Sequence, residues 1–151
     1  KPEIARRLAG DEGVVWHGAV ERNHLLGELP GMDVGWAWRH DALESTTHEL
    51  STKLLEYASA RVPPIMARNA VNLSVFGEAY PLYADTPDEA LVLLAKLAGD
   101  VALRAAAVEA AFAASKRFDF ASVRDFLRSQ GLLPTDGSGD AFQPHDSRVS
   151  T

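Results

Sequence analysis

The sequence predicts an α/β fold, a parallel Rossmann-like sheet with flanking helices. Three observations carry that expectation: four short apolar runs lie at wide intervals, helical periodicity fills the gaps, and 151 residues are 46% hydrophobic against 24% charged. The composition is ordinary globular usage and suffices for one domain with a real core. Strands alternating with helices imply parallel pairing, because a parallel neighbour needs a crossover that a helix can supply.

Pro2 suits the first turn of a helix, and Ile4, Ala5 and Leu8 give it an apolar stripe. The chain therefore opens inside an element, and it reads as a segment of something longer. Residues 13–17 (GVVWH) and 64–67 (PIMA) are nearly continuous in apolar residues, as in strands covered on both faces. Residues 32–38 (MDVGWAW) alternate somewhat, with Gly35 weakening the pattern, and residues 80–83 (YPLY) hold Pro81, which marks an edge strand or a strand end. Trp16, Trp36 and Trp38 are expected to pack helices against this sheet, Trp38 near enough to a strand end to reach a ligand.

Leu25, Leu26 and Leu29 mark a short helix that breaks at Pro30-Gly31. Leu50, Leu54, Tyr57 and Ala58 share one helical face. Residues 71–76 make a turn or two closed by Gly77, and residues 87–97 begin a helix on proline. Residues 100–116 follow with Asp100 as N-cap and Val101, Val108 and Phe112 as the packing face. A last helix over 120–129 carries Val123, Phe126 and Leu127 and stops at Gly131. The domain is expected over 1–133, and residues 134–151, rich in Gly, Ser, Asp and Pro, are expected to be a disordered tail.

Several function classes are excluded or disfavoured. No apolar run approaches the ~20 residues of a membrane span, and the charged start is unlike a signal peptide. With no cysteine, disulfides, thiolate zinc sites and thiol catalysis are out. Fifteen basic against 21 acidic residues, a net charge of −6, argue against nucleic acid as a partner. A cytoplasmic location is expected, with peripheral membrane contact left open. His17, His24, His40 and His48 lack the i, i+4 spacing of a metal site, so no metal is expected. Gly10, Gly13 and Gly18 do not make a G-x-G-x-x-G, nor do the serines sit in G-x-S-x-G. Asp33 falls inside a strand pattern, where it caps a loop or is buried with a partner.

Ligands of open α/β sheets bind beyond the carboxyl ends of strands, where helix N-termini offer free N–H groups. That selects residues 18–22, 39–52 and 68–73, the second being richest. Ser51 and Thr52 can present hydroxyls and amides at a helix start, Lys53 adds a cation, and Glu49, Thr52, Lys53 and Glu56 share one stripe. A phosphate could rest on that start while Glu56 accepts hydrogen bonds from a ribose. The same residues admit a purely structural account, with Thr46 and Glu49 as a capping box and Glu49–Lys53 as a surface pair, together worth on the order of 1 kcal/mol. Spacing alone favours the latter.

The order of the segments resembles the C-terminal, nucleotide-sugar-binding half of a GT-B glycosyltransferase of the group 1 type. The matching stretches are VVWHG (14–18), LPGMDVGW (29–36), ELSTKLLEYA (49–58) and VPPI (62–65), and the likeness extends over residues 14–85. It implies that Glu56 matches the second acid of the family's paired-Glu motif and hydrogen-bonds the donor ribose. It implies that backbone amides at Leu50, Ser51 and Thr52 meet the diphosphate, and that the turn Gly18, Ala19, Val20 contacts the base. The first acid of the motif falls on His48, so either neighbouring Glu49 substitutes or His48 contacts the sugar. The resemblance further implies a nucleotide-diphosphate sugar as co-substrate, no metal or other cofactor, and two parts outside these residues. One is an N-terminal acceptor-binding domain; the other is a glycine-containing loop whose Arg and Lys neutralise the diphosphate. The chain would then be the donor-binding part of a transferase and inactive alone. A non-catalytic α/β binding module is the alternative, and a GT-B-shaped epimerase a third.

Overall fold

A computed structural model describes residues 2–38 and 49–134. The chain is mostly helical, with a small parallel sheet. In order come α1 (Pro2–Ala9), α2 (Arg22–Glu28) running into a 3₁₀ turn (Leu29–Gly31), β1 (Gly35–Trp36), α3 (Thr52–Ser59) and β2 (Pro64–Ile65). Then follow α4 (Ala70–Phe76), α5 (Pro87–Gly99), α6 (Val101–Lys116) and α7 (Phe120–Ser129). Two compact units divide it, Lys1–Phe118 and Asp119–Thr151. In the second, Asp119 Oδ1 caps α7 by accepting from the Ser122 amide at 2.7 Å. The helix ends with Gly131 at φ +71°, so that the Leu132 amide reaches back to the Leu127 carbonyl at 2.9 Å. Residues 135–151, most of the expected tail, lie outside the described residues.

Three of the four apolar runs form the sheet. β1 and β2 pair in parallel with Gly35 opposite Pro64 and Trp36 opposite Ile65, and Met66 bridges Tyr83 in parallel on the far side. The Gly35 and Ala37 amides donate to the Pro63 and Ile65 carbonyls at 3.1 and 3.0 Å. On the other edge, the Met66 amide donates to Leu82 and the Ala84 amide to Met66, at 3.3 and 2.9 Å. Pro64 brings no N–H to this ladder, and its carbonyl is satisfied by the Tyr80 hydroxyl at 2.7 Å.

The expected first strand does not form. Residues 13–17 carry no strand, and Val15 and Trp16 are 79% and 47% exposed. The local cause is Asp11, whose side chain accepts from the Gly13 amide and whose carbonyl accepts from the Val14 amide, both at 3.0 Å. This turn takes up the amides that would begin a ladder. Trp36 is also exposed, so neither it nor Trp16 seals helices onto the sheet.

The core of the first unit gathers Leu54 and Ala58 of α3, Ile65 and Met66, Phe76 of α4, Leu82, and Ala107, Ala111 and Ala114 of α6. Burial of each large apolar side chain contributes roughly 1.5–3 kcal/mol. α3 packs chiefly on α6. The buried stripe of α6 is alanine at i, i+4 and i+7, not the expected Val101, Val108 and Phe112; Val101 is 82% exposed. Small side chains let the two helices approach closely, and bulkier ones turn outward. Side-chain caps start α4, α5 and α6: Asn69, Thr86 and Asp100 accept from the amides of Asn72, Glu89 and Leu103. Among the described residues, no helix is long and apolar enough to cross a membrane.

α3 ends in a Schellman turn. The Val62 amide donates to the Tyr57 carbonyl at 2.9 Å and the Arg61 amide to Ala58 at 3.1 Å. Arg61 sits at φ +60°, the position glycine usually takes. Its guanidinium lies 4.0 Å from the centre of the Phe112 ring and pairs with Glu109 at 2.6 Å. A close approach of another kind holds β1 to α3: a Cβ on Gly35 would lie 2.5 Å from Tyr57 Cδ2.

Candidate functional site

The segment β1–α3–β2 is a strand–helix–strand unit whose strands are parallel, so α3 begins on the side where the strands end. Residues 39–48, which carry His48 and most of the expected donor loop, lie outside the described residues. Ser51 is the N-cap of α3, with φ −69° and ψ 124°, and its side chain makes no capping bond. Its carbonyl accepts from the Leu54 amide at 3.0 Å, and its side chain supplies no acceptor to the amides of the first turn. Thr52 and Lys53 are exposed there, and Leu50 packs partly against the core.

Glu49 departs from expectation. It precedes the helix, so it is neither the third residue of a capping box nor the i partner of Lys53 on a helical face. The stripe reduces to Thr52, Lys53 and Glu56. Leu54, deeply buried at the third helical position, anchors the frame that places the start at Ser51 rather than earlier.

Glu56 stands one turn into α3 with its side chain 27% exposed, and Arg22 Nη2 donates to its Oε1 at 2.7 Å. Arg22 is the first residue of α2, and its side chain is 70% exposed. Four residues upstream lies Gly18, at φ +70°, opening the exposed turn Gly18, Ala19, Val20. The ion pair thus brings the chain just after that turn onto α3. Arg22 closes the segment 18–22 that the sequence selected, but no ligand contact was assigned to it there. Nothing local marks its bond to Glu56, because that partner is 34 positions away.

At the ends of β2 and the Tyr83 bridge the polar groups serve the fold. Trp38 packs against the core, as expected of the tryptophans, and its Nε1 donates to the Ala84 carbonyl at 3.1 Å, which commits the indole that stood near enough to a strand end to reach a ligand. Buried Asn72 donates from Nδ2 to the Ala67 carbonyl at 2.9 Å. The Tyr83 hydroxyl lies within donating distance of the Asn72 and Gly77 carbonyls, at 3.0 and 3.1 Å. Burial pushes the Tyr83 phenol up to about 12, and the Arg68 guanidinium, 4.9 Å from the ring centre, moderates that rise. Burial likewise raises Tyr57, with the Glu56 charge adding to it.

A cavity of about 370 Å³ opens elsewhere, before β1, lined by Asp33, Val34, Leu94, Leu97, Ala98 and Arg104. Asp33 and Arg104 pair across it at 2.5 Å, both well exposed, so Asp33 is neither a loop cap nor a buried partner. None of the residues expected from sequence to bind a ligand lines it. Comparison of the chain with protein-family models, curated proteins and solved structures gave no match.

Proposed function

We propose that the chain is the donor-binding part of a GT-B glycosyltransferase of the group 1 type. Within a longer protein it would hold a nucleotide-diphosphate sugar while the sugar passes to an acceptor bound by another domain. On this proposal β1, β2 and the Tyr83 bridge belong to a fuller Rossmann-like parallel sheet. The observation that carries it is the Arg22–Glu56 pair. It ties Arg22, two residues beyond the turn at 18–20, to Glu56, one turn into the helix that follows Ser51.

The chemistry follows from the residue types. Glu56, an acceptor-only carboxylate, takes hydrogen bonds from ribose hydroxyls. The helix-start amides after Ser51 and the Lys53 ammonium face the diphosphate, whose negative charge grows as it leaves. The turn Gly18, Ala19, Val20 meets the base through backbone atoms. No metal is required where cations and a helix terminus neutralise the leaving group.

Titration of the chain with UDP, GDP and ADP, followed by amide NMR, tests this. One nucleotide should shift the amides of residues 51–54 and 18–20, and Glu56→Ala should weaken it roughly tenfold or more, the size of a lost charged hydrogen bond. Absence of shifts at those amides at millimolar nucleotide would overturn the proposal. Binding without loss in Glu56→Ala would remove Glu56 from the ribose contact.

A further inference from the structure

The carboxylate assigned to the ribose already has a protein partner, since Arg22 Nη2 lies 2.7 Å from Glu56 Oε1. A ribose hydroxyl and a guanidinium compete for the same acceptor. The pair is lopsided: Glu56 is largely covered on α3, whereas Arg22 projects from the first position of a short helix with most of its side chain in solvent. Glu56 is therefore the fixed partner and Arg22 the one that can leave.

We infer that Arg22 is an exchange latch on the nucleotide site: it holds Glu56 in the free chain and transfers to the ligand's diphosphate when ribose takes the carboxylate. This rests on the proposed donor site and adds a regulatory residue to it. Exchange makes binding depend on the ligand bringing both groups. A nucleoside can displace the guanidinium but gives it no new anion, so it meets the latch as a penalty. A nucleoside diphosphate offers a replacement, to which an arginine fork is well matched. Arg22 thus discriminates nucleotide from nucleoside without being needed for the fold, because an ion pair this exposed contributes little stability.

The test compares affinities of the full chain for each of UDP, GDP and ADP and for the matching nucleoside, in wild type, Arg22→Ala, Arg22→Lys, Glu56→Gln and the double variant Arg22→Ala/Glu56→Gln. Thermal unfolding establishes that each variant is folded. Arg22→Ala should tighten nucleoside binding by about twofold to fivefold, the free energy of an exposed ion pair. It should also weaken the diphosphate, so that the ratio of the two affinities collapses. Arg22→Lys should keep most of the ratio. In the Glu56→Gln background, Arg22→Ala should no longer improve nucleoside binding.

An unchanged or weaker nucleoside affinity in Arg22→Ala, with Glu56→Gln still lowering it, would overturn the latch while leaving the site intact. No binding of any of the three diphosphates would overturn the site and the latch with it.

Discussion

Gly35→Ala adds one methyl group where the structure has no room for it. The new Cβ would lie 2.5, 2.6 and 2.9 Å from Tyr57 Cδ2, Cγ and Cε2. Comfortable carbon contacts begin near ~3.5 Å, so about 1 Å of movement is required. The offended atoms include the root of the ring, which rotation about its own axis leaves in place. The ring must translate, yet its helix is pinned by Leu54 and Ala58, at 2% and 0% exposure. β1 on the other side is held by the Gly35 and Ala37 amides. The cost should therefore fall at the upper end of overpacking, about 2–3 kcal/mol, or roughly 4–12 °C in Tm for a chain of this size. Urea and thermal unfolding followed by circular dichroism measure it. The decisive arm is the same substitution in Tyr57→Ala, where it should cost under about 0.5 kcal/mol. An equal cost in both backgrounds would refute the clash and leave backbone conformation as the cause.

Other expectations concern single interactions. Arg61→Gly should be more stable than Arg61→Ala by about 1 kcal/mol in chemical unfolding, because both lose the Phe112 and Glu109 contacts and only glycine relieves the left-handed backbone. All three tyrosines have raised pKa values, so phenolate absorbance of the folded chain should rise at higher pH than that of the unfolded chain, which titrates near ~10. The unfolded chain loses those protons first, so stability should hold below pH ~10 and fall as pH rises toward about 12, the value for Tyr83. Tyr83→Phe should flatten that alkaline decline in unfolding measured against pH. Asn72→Ala should cost about 1–3 kcal/mol by leaving the buried Ala67 carbonyl without its donor.

The helices were legible because their signals are local. Pro87 and Asp100 mark starts, Gly77 and Gly131 mark stops, and the spacing from Leu54 to Ala58 marks a face. What sequence misread depends on partners far along the chain. Residues 13–17 have the apolar content of a buried strand, but burial needs a neighbour, and Asp11 captures the first amides locally. On α6 the eye goes to Val and Phe, whereas close helix contact selects the smallest residues, whose hydrophobic signal is weak. Gly35 looked like a flaw in a strand and is the space that receives Tyr57. Of the candidate site, the helix start at Ser51 was readable. The engagement of Glu56 by Arg22 was not, since no spacing rule links residues so far apart.

Pro63, just before β2, and Pro64, its first residue, leave a gap in what hydrogen exchange can report. The buried run 62–67 has no amide at Pro63 or Pro64, so its slow exchangers must be sought around the Tyr83 bridge. The Met66 and Ala84 amides donate across that bridge, and they should exchange together, only when the whole unit opens. Their shared rate would give the unit's global stability directly, free of contributions from the fraying ends of its helices.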